Sequence, residues 1–276
     1  MFNLDRELEL ALALSRIAGD EVLRIYAGDF DVEHKQGEGP VTIADRRADQ
    51  IIRDGIHATF PQDAVLSEET PDDTARLSQR RLWLVDPLDG TRQFVARLPE
   101  FAVMIGLAVE GVPRLGVVHM PVESLTCYGV VGSGAWQLTA DGSRRELSLL
   151  GPRSSELPLQ AAVSRLNAES RTHRVIERLG AHPVRSGSVG RKAALVATGE
   201  ADFYLTLGGQ SQHWDACAPD ALLRAAGGFF GTASGEVIAY NTPLIRNTDG
   251  LIACRPELLS RLVPEIARVR AEASPR

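Results

Sequence analysis

The stretch LVDPLDGTRQF, residues 84–94, places two aspartates three positions apart on either side of a proline. An apolar run typical of a strand leads into Asp86 and Asp89, and Gly90 and Thr91 follow them. Like charges at close range repel each other and raise each other's pKa. The pair therefore indicates that a positive charge from elsewhere holds the two carboxylates together.

The rest of the chain can surround this pair with a substantial core. Its 276 residues are 44% hydrophobic and 24% charged, enough for one large globular domain or two coupled lobes. The 30 Lys and Arg against 36 Asp and Glu give a formal charge of -6, which provides no general attraction to nucleic acid or to anionic membranes. An anionic substrate must then meet local positive charge from side chains, backbone amides or metal ions.

The cysteines and the N-terminal segment indicate the cellular compartment in which the protein is expected. Cys127, Cys217 and Cys254 are odd in number, far apart and flanked by apolar residues, which favours buried free thiols over disulfides or a zinc site. The first 28 residues mix acidic and basic residues with apolar ones, unlike a signal peptide or a membrane span. We therefore expect a cytoplasmic protein.

Apolar spacing predicts the elements around the aspartate pair. Helical periodicity indicates one helix over residues 4–26 and a second one capped by Thr42. Two short apolar runs that end in acidic residues indicate strands: AVLSEE at 64–69 and RLWLVDP at 81–87. Further strands are predicted on either side of a turn at residues 110–113. We expect residues 1–150 to form an α+β half in which helices pack on a largely antiparallel sheet.

A Gly-, Pro- and Ser-rich stretch at 150–158 is the best candidate for a lobe boundary. Beyond it, short strand candidates alternate with helical stretches, at about 169–180, 190–199, 215–226 and 256–271. This alternation predicts an α/β half over residues 151–276.

Acidic residues recur at the ends of the predicted elements: Glu68, Asp86, Asp89 and Asp215, with Asp45 in the first turn of a helix. Taken singly, an aspartate in Asp-Pro or Asp-Gly is ordinary turn chemistry. Taken together, oxygen-only groups suit Mg²⁺ or Mn²⁺, and the sequence has no His/Cys cluster to favour zinc. Gly90 permits close backbone approach, and Thr91 opens a possible helix whose free N–H groups could bind an anion. Metal-binding carboxylates beside an anion site are the parts needed for phosphoryl transfer to water.

Two long motifs resemble those of a known family. WLVDPLDGTRQF (83–94) resembles the first signature of the inositol monophosphatase superfamily of Mg²⁺-dependent, lithium-sensitive phosphatases, and WDACAPDALLRAAGG (214–228) resembles the second. VTIAD, LSEE, GSGAW and ATGEADFYL follow the family's order, so that the resemblance covers residues from about 35 to 230. It implies a layered α/β/α/β/α sandwich of the sugar phosphatase type, with the metal site between its two halves.

The resemblance also implies roles for individual residues. The positions that match metal ligands are the side chains of Glu68, Asp86, Asp89 and Asp215 and the carbonyl oxygen of Leu88. Asp45 and Thr91 match the pair that orients and deprotonates the attacking water, and Glu69 is a supporting acid. The amides of Gly90 and Thr91 match the phosphate-binding groups. Substrate contacts are implied for Glu68, Leu88, Asp89, Gly90, Thr91, Ser188, Lys192 and Asp215. The cofactor implied is Mg²⁺, as two or three ions, with Mn²⁺ as a substitute.

The sequence identifies the phosphate ester less clearly than it identifies the reaction. DAVLSEET (63–70) and the segment at 161–205 most resemble the 3'(2'),5'-bisphosphate nucleotidases of the CysQ type. Lys192 falls where those nucleotidases direct a lysine toward the substrate, and a cation there suits a second phosphate; the alternative is a solvated lysine on a helix. Tyr204 and Trp214 are expected to be packing residues rather than a platform for a base.

Some positions depart from that branch of the family. Asn167 ends a Ser-Arg-Leu-Asn segment where many members have Ser-Arg-Ser-His, and Thr206 stands where eukaryotic relatives have a basic residue. These changes leave the predicted metal chemistry intact but remove presumed nucleotide contacts. His213, Arg165 or Arg185 could supply replacements, although His213 is also a candidate for an ordinary loop histidine.

The leading hypothesis is a phosphatase that releases the 3'-phosphate of 3'-phosphoadenosine 5'-phosphate to leave AMP. Inositol-1-monophosphatase or fructose-1,6-bisphosphatase activity is the near alternative, and histidinol phosphatase activity is a more distant one. A catalytically silent ligand-binding relative is disfavoured because every residue needed for the metals and the water is present. The partner we expect is a small phosphate ester, with no nucleic acid or membrane, and the resemblance suggests a homodimer.

Overall fold

The computed structural model describes residues 3–35, 39–151, 157–166, 169–209 and 211–273. The helices are α1 (Asp5–Tyr26), α2 (Ile43–Thr59), α3 (Thr91–Val95), α4 (Ser170–Arg178), α5 (Val189–Thr198), α6 (His213–Ala225) and α7 (Leu259–Ala273). The strands are β1 (Val32–Lys35), β2 (Gly39–Thr42), β3 (Ala64–Ser67), β4 (Arg81–Asp89), β5 (Ala102–Val109), β6 (Val112–Met120), β7 (Leu125–Val130), β8 (Gly134–Leu138), β9 (Arg144–Leu147), β10 (Gln160–Ser164), β11 (His182–Ser186), β12 (Phe203–Thr206), β13 (Phe229–Thr232) and β14 (Leu251–Cys254).

The first sheet has seven strands in the order β3-β4-β5-β6-β7-β8-β9. Only its β3–β4 pair is parallel, and the others are antiparallel, as the sequence predicted for this half. In β4, Leu82 and Leu84 enter one core cluster while Trp83 and Val85 enter another. Because side chains alternate across a strand, this apolar run requires a packed layer on each face of the sheet.

The layer on the Trp83 face is made by α1 and α2. Ala18 of α1 and Ile52 of α2 are fully buried in the cluster that contains Trp83. The start of α2 is set locally: the Thr42 side chain accepts a hydrogen bond from Ala44 N, and Asp45 completes the capping box. The predicted helices over 4–26 and after Thr42 are thus confirmed.

The layer on the opposite face is made by α5 and α6, which lie between the two sheets. Ala193 of α5 and Leu222 of α6 share a core cluster with Leu84 of the first sheet and Tyr204 of the second. One common core therefore joins the two halves of the chain. The prediction of two lobes over 1–150 and 151–276 stays a proposal, and residues 152–156 of the boundary stretch lie outside the described part.

The second sheet has five strands in the order β11-β10-β12-β14-β13. β10 is parallel to β11 and β12, whereas β14 is antiparallel to β12 and β13. Its outer face packs against α4 and α7, where Val175 and Leu262 meet Phe203. The order of layers is helices, sheet, helices, sheet, helices, which confirms the predicted α/β/α/β/α sandwich.

Several details differ from the sequence expectation. β1, β2, β9 and β13 were not predicted; β13 follows two glycines, which mask a strand pattern. The helix expected at 256–271 begins as a 3₁₀ turn at Pro256–Leu258, and α7 proper starts at Leu259. The three cysteines are buried free thiols, as predicted. None of the helices in the described ranges is both long and apolar enough to cross a membrane.

Close contact between α6 and the first sheet depends on glycine. A Cβ on Gly116 of β6 would fall on the carbonyl oxygen of Ala218, and one on Gly106 of β5 would lie 2.8 Å from Cys217 Sγ. Since α6 carries Asp215, these two glycines set how closely that carboxylate approaches the end of β4.

Replacing Gly116 should therefore destabilise the fold. We expect Gly116→Ala to lower the melting temperature by roughly 3–10 °C, since overpacking costs about 1–3 kcal/mol and α6 must shift. Gly151→Ala is the matched control, because nothing lies within 4 Å of a Cβ there. Differential scanning calorimetry of the two variants checks this, and equal melting temperatures would contradict the close-packing account.

Candidate active site

A cavity of about 580 Å³ opens between the two halves of the chain. Its walls include Glu68, Asp89, Gly90 and Thr91 from the N-terminal half and Ser188, Lys192 and Asp215 from the C-terminal half. It also lies at the carboxyl ends of β10 and β12, where ligands typically bind α/β sheets. The structure thus gathers at one cavity most of the residues that the sequence singled out.

A bulge in β4 explains how Asp86 and Asp89 come to be neighbours. The β4–β5 register pairs Asp86 with Met104 and Asp89 with Ala102, so β4 has one residue more than β5 in this interval. Such an extra residue changes the face of the sheet on which the following side chains lie. Asp86 Oδ1 also accepts a hydrogen bond of 3.1 Å from Leu88 N, which stabilises the turn through Pro87.

The carboxyl groups at this point repel one another in a buried setting. Burial, followed by the charges of Glu68, Asp89 and Asp215, raises the pKa of Asp86 well above its usual range. Burial and then the charge of Asp89 raise the pKa of Asp215 to about 7, and Asp86 hydrogen bonds with both Glu68 and Asp215. Four acidic groups therefore share one small volume in which their negative charge is only partly balanced.

The oxygen atoms of these carboxyl groups are suitable ligands for a hard divalent cation, but their present positions are not those of a metal site. In the described part of the chain, no three Asp, Glu, His or Cys side chains are arranged so that they could hold an ion as they stand. The carboxyl groups hydrogen bond with each other, and Asp89 is engaged by α5. Yet Mg²⁺ would neutralise a buried set of carboxylates in which burial and then neighbouring charges raise the pKa of Asp86 and of Asp215.

Asp89 also contacts the start of α5, which the sequence did not predict. Its carboxylate accepts hydrogen bonds from the Ser188 hydroxyl, from Val189 N at 3.0 Å and from Gly190 N at 2.6 Å. These groups form the N-terminus of α5, where the helix dipole favours a negative charge. Asp89 therefore links the end of β4 to α5, across the interface of the two halves.

Asp45 and Thr91 meet beside the carboxylate cluster. Thr91 Oγ1 lies 2.9 Å from Asp45 Oδ1 and 3.2 Å from the carbonyl oxygen of Leu88. The other oxygen of Asp45 accepts hydrogen bonds of 2.7 Å from both the amide and the hydroxyl of Thr42. Burial raises the pKa of Asp45, and the hydrogen bonds from Thr42 and Thr91 offset part of that effect.

The remaining predicted residues occupy different positions around the cavity. Gly90 caps α3 with a φ of +104°, in the left-handed region that favours glycine. Asp45, Asp86 and Leu88 are buried behind the wall rather than part of it. Glu69 is half-buried and is not among the described residues that line the cavity, so its supporting role stays a prediction.

Lys192 is not a solvated helix lysine. It is 5% exposed, lines the cavity and donates a hydrogen bond from Nζ to the carbonyl oxygen of Ser188. Its Nζ also lies 5.2 Å from the centre of the Tyr204 ring. Burial lowers the pKa of Lys192 to about 8, while Asp89, Glu100 and Asp215 oppose that shift. The ammonium therefore stays largely charged at neutral pH.

The residues proposed to replace missing nucleotide contacts do not line the cavity. His213 is buried, its ring is 5.3 Å from that of Tyr240, and burial lowers its pKa to about 4. Arg165 forms a two-pronged ion pair with Glu100, with an Nη2–Oε1 distance of 2.6 Å. Arg185 is exposed on β11, outside the lining, and Asn167 lies outside the described residues.

Sequence reasoning missed one wall of the cavity. The residues that line it there are the N-cap and first turn of α4, the last residue of β12 and a glycine beyond it, and we name them the α4 wall: Glu169, Thr172, His173, Thr206 and Gly208. Among these, Glu169, Thr172 and His173 were not singled out from the sequence. The periodicity that predicted α4 carries no signal that its first turn meets a cavity.

The layered fold and the carboxylate-lined cavity agree with the family that the two sequence motifs resemble. A family model described as the inositol monophosphatase family matches residues 3–271 of this chain. Its relatives include the 3'(2'),5'-bisphosphate nucleotidase CysQ of Salmonella typhimurium, 36% identical over 236 residues that cover 84% of this chain and 93% of that protein. The chain belongs to the inositol monophosphatase family.

Further comparisons support the same placement. A 3'-phosphoadenosine 5'-phosphate phosphatase of Mycobacterium bovis is 34% identical over 259 residues, which cover 91% of this chain and 89% of that protein. The crystal structure of CysQ from Bacteroides thetaiotaomicron matches with a TM-score of 0.79 and 30% identity, over 92% of this chain and 99% of that chain. An IMPase from Thermotoga maritima matches with a TM-score of 0.80 and 27% identity, over 98% and 100% of the two chains.

Proposed function

We propose that the protein is a Mg²⁺-dependent phosphatase that hydrolyses the 3'-phosphate of 3'-phosphoadenosine 5'-phosphate to AMP and phosphate. The observation that carries the proposal is a buried lysine, Lys192, in the wall of a carboxylate-lined cavity. The carboxylates suit the metal-assisted hydrolysis of one phosphate, and the lysine suits a second one. The names of two relatives, the 3'(2'),5'-bisphosphate nucleotidase CysQ and the 3'-phosphoadenosine 5'-phosphate phosphatase of Mycobacterium bovis, support the same substrate class.

We assign the metal ligands to the residues that the resemblance implied: Glu68, Asp86, Leu88 through its carbonyl oxygen, Asp89 and Asp215. When bound, Mg²⁺ supplies charge neutralisation for the carboxylates and the phosphate and lowers the pKa of water. Two or three ions and replacement by Mn²⁺ are part of the proposal, as are a homodimer and a cytoplasmic location.

The protein's own groups supply proton transfer and positioning. Because the Thr91 hydroxyl donates to Asp45, its oxygen can accept a hydrogen bond from the attacking water. The water proton then passes through Thr91 to Asp45, whose raised pKa favours holding it. We assign the amides of Gly90 and Thr91 to the phosphate that is cleaved, since both residues line the cavity.

Release of inorganic phosphate tests the reaction class. Purified protein should release phosphate from 3'-phosphoadenosine 5'-phosphate with Mg²⁺ present and lose that activity in excess EDTA. Activity that survives the chelator would contradict the metal assignment. No phosphate release from any ester would favour a silent ligand-binding relative instead.

Lys192 provides the sharpest test of the substrate. Lys192→Met keeps a long apolar stem in the buried site and removes the charge, so it should lower kcat/KM for the bisphosphate nucleotide about ten- to a hundredfold. Inositol 1-phosphate has no second phosphate, and its hydrolysis should change little.

Arg191→Met serves as the control for that variant, because Arg191 pairs with Glu123 and does not line the cavity. Equal losses on both substrates in Lys192→Met would show that the lysine only supports Ser188. The inositol monophosphatase alternative, which the Thermotoga maritima structure favours, would then move ahead.

A further inference from the structure

One carboxylate connects the two parts of the α4 wall. Glu169 Oε2 accepts hydrogen bonds of 2.8 Å from both the Thr172 hydroxyl and Leu207 N. These contacts tie the first turn of α4 to the segment that follows β12. They connect two of the elements that line the cavity on this side.

His173 presents a hydrogen-bond acceptor to the cavity. Its Nδ1 lies 3.0 Å from the carbonyl oxygen of Glu169, which can only accept, so Nδ1 of the neutral ring carries the proton. Nε2 is then left with a lone pair, and within the described residues it makes no hydrogen bond. The half-buried ring is part of the cavity wall.

The charge of this wall disfavours a phosphate. Its acidic group, Glu169, faces the same space, and Arg171, which pairs with Glu169 at 3.3 Å, is exposed and does not line the cavity. Among the described lining residues, the basic side chains besides His173 are Arg92, next to Thr91, and Lys192 on α5. Phosphates should therefore bind near those cations, and a neutral hydrogen-bond donor should bind at the α4 wall.

We propose that His173 determines base specificity: its Nε2 accepts a hydrogen bond from the exocyclic amino group of the adenine base. This inference rests on the proposed function. The ribose carries the phosphate that is cleaved and must stay beside the carboxylates, so the base is the part that can extend to the α4 wall.

The test compares two nucleotides that differ in the base, which carries an amino group in one and an oxo group in the other. Wild-type protein should favour 3'-phosphoadenosine 5'-phosphate over 3'-phosphoinosine 5'-phosphate by about tenfold in kcat/KM. In the inosine nucleotide the oxo group of the base and Nε2 of His173 are both hydrogen-bond acceptors, so the contact is lost. His173→Phe should bring that ratio to about one, mainly through KM, and leave inositol 1-phosphate hydrolysis unchanged. His173→Gln, whose carbonyl oxygen can accept, should restore part of the preference.

His182→Phe is the matched control, since His182 is exposed on β11 and outside the lining. A preference that survives in His173→Phe would overturn the proposal, as would equal losses on all three substrates. Calorimetric affinities for AMP and inosine 5'-monophosphate separate this inference from the proposed function, because they need no turnover. If the wild type hydrolyses neither nucleotide, the proposed function fails, and an AMP preference lost only in His173→Phe still supports the role of His173.

Discussion

Asp89→Asn should lower kcat/KM by more than about 10³-fold while the protein still folds, because it removes a proposed metal ligand and charge at the centre of the cavity. The structure adds an effect on stability. Asp89 accepts three hydrogen bonds from Ser188, Val189 and Gly190, and an amide group cannot accept all of them. Loss of the Asp89 charge also relieves repulsion with Asp86, whose pKa that charge helps to raise, and this offsets part of the loss.

The metal-free variant should therefore melt a few degrees below the wild type, as expected for the loss of about 1–3 kcal/mol of charge-assisted hydrogen bonding. Addition of Mg²⁺ should raise the melting temperature of the wild type more than that of Asp89→Asn. Asp54→Asn, at an exposed position of α2, is the control. Wild-type activity of Asp89→Asn at saturating Mg²⁺ would contradict the ligand assignment.

Thr91→Ala is expected to reduce kcat by on the order of 10² or more, with little change in the affinity for Mg²⁺. The reason is the contact of 2.9 Å between Thr91 Oγ1 and Asp45 Oδ1, through which we route the proton of the attacking water. Steady-state kinetics and a Mg²⁺ titration of the melting temperature separate the two effects.

Two further variants make the Thr91 prediction specific. Thr91→Ser keeps the hydroxyl and should keep most of the activity. A double variant with Asp45→Asn should lose little more than the worse single variant, since residues that act as a unit are not additive. Fully additive losses, or an inactive Thr91→Ser, would argue against a shared role.

The local signals that predicted the fold were long and periodic. The apolar run of β4 and the helical spacing of α1 and α2 are visible in sequence because one face, or both, must be buried. β13 was missed because Gly227 and Gly228 precede only four strand residues. Nothing within the strands themselves encodes that both sheets share α5 and α6; that arrangement comes from tertiary packing.

The candidate site divides in a similar way. Asp86, Asp89 and Thr91 lie in one continuous motif, so spacing alone pointed to them. The capping of α5 by Asp89 joins residues a hundred positions apart, and no local pattern predicts it. The burial of Lys192 also depends on a second element, β12, which supplies Tyr204. His173 was missed because an amphipathic helix looks the same whether its first turn meets solvent or a cavity.

The central claim is that the cavity hydrolyses a nucleotide bisphosphate with the aid of Mg²⁺. The most direct measurement is kcat/KM for 3'-phosphoadenosine 5'-phosphate, inositol 1-phosphate, fructose 1,6-bisphosphate and histidinol phosphate, with Mg²⁺ present and absent. We predict Mg²⁺-dependent turnover that favours the nucleotide over inositol 1-phosphate by at least about tenfold, as one charge-assisted contact allows. Turnover without Mg²⁺, or a preference for inositol 1-phosphate, would contradict this account.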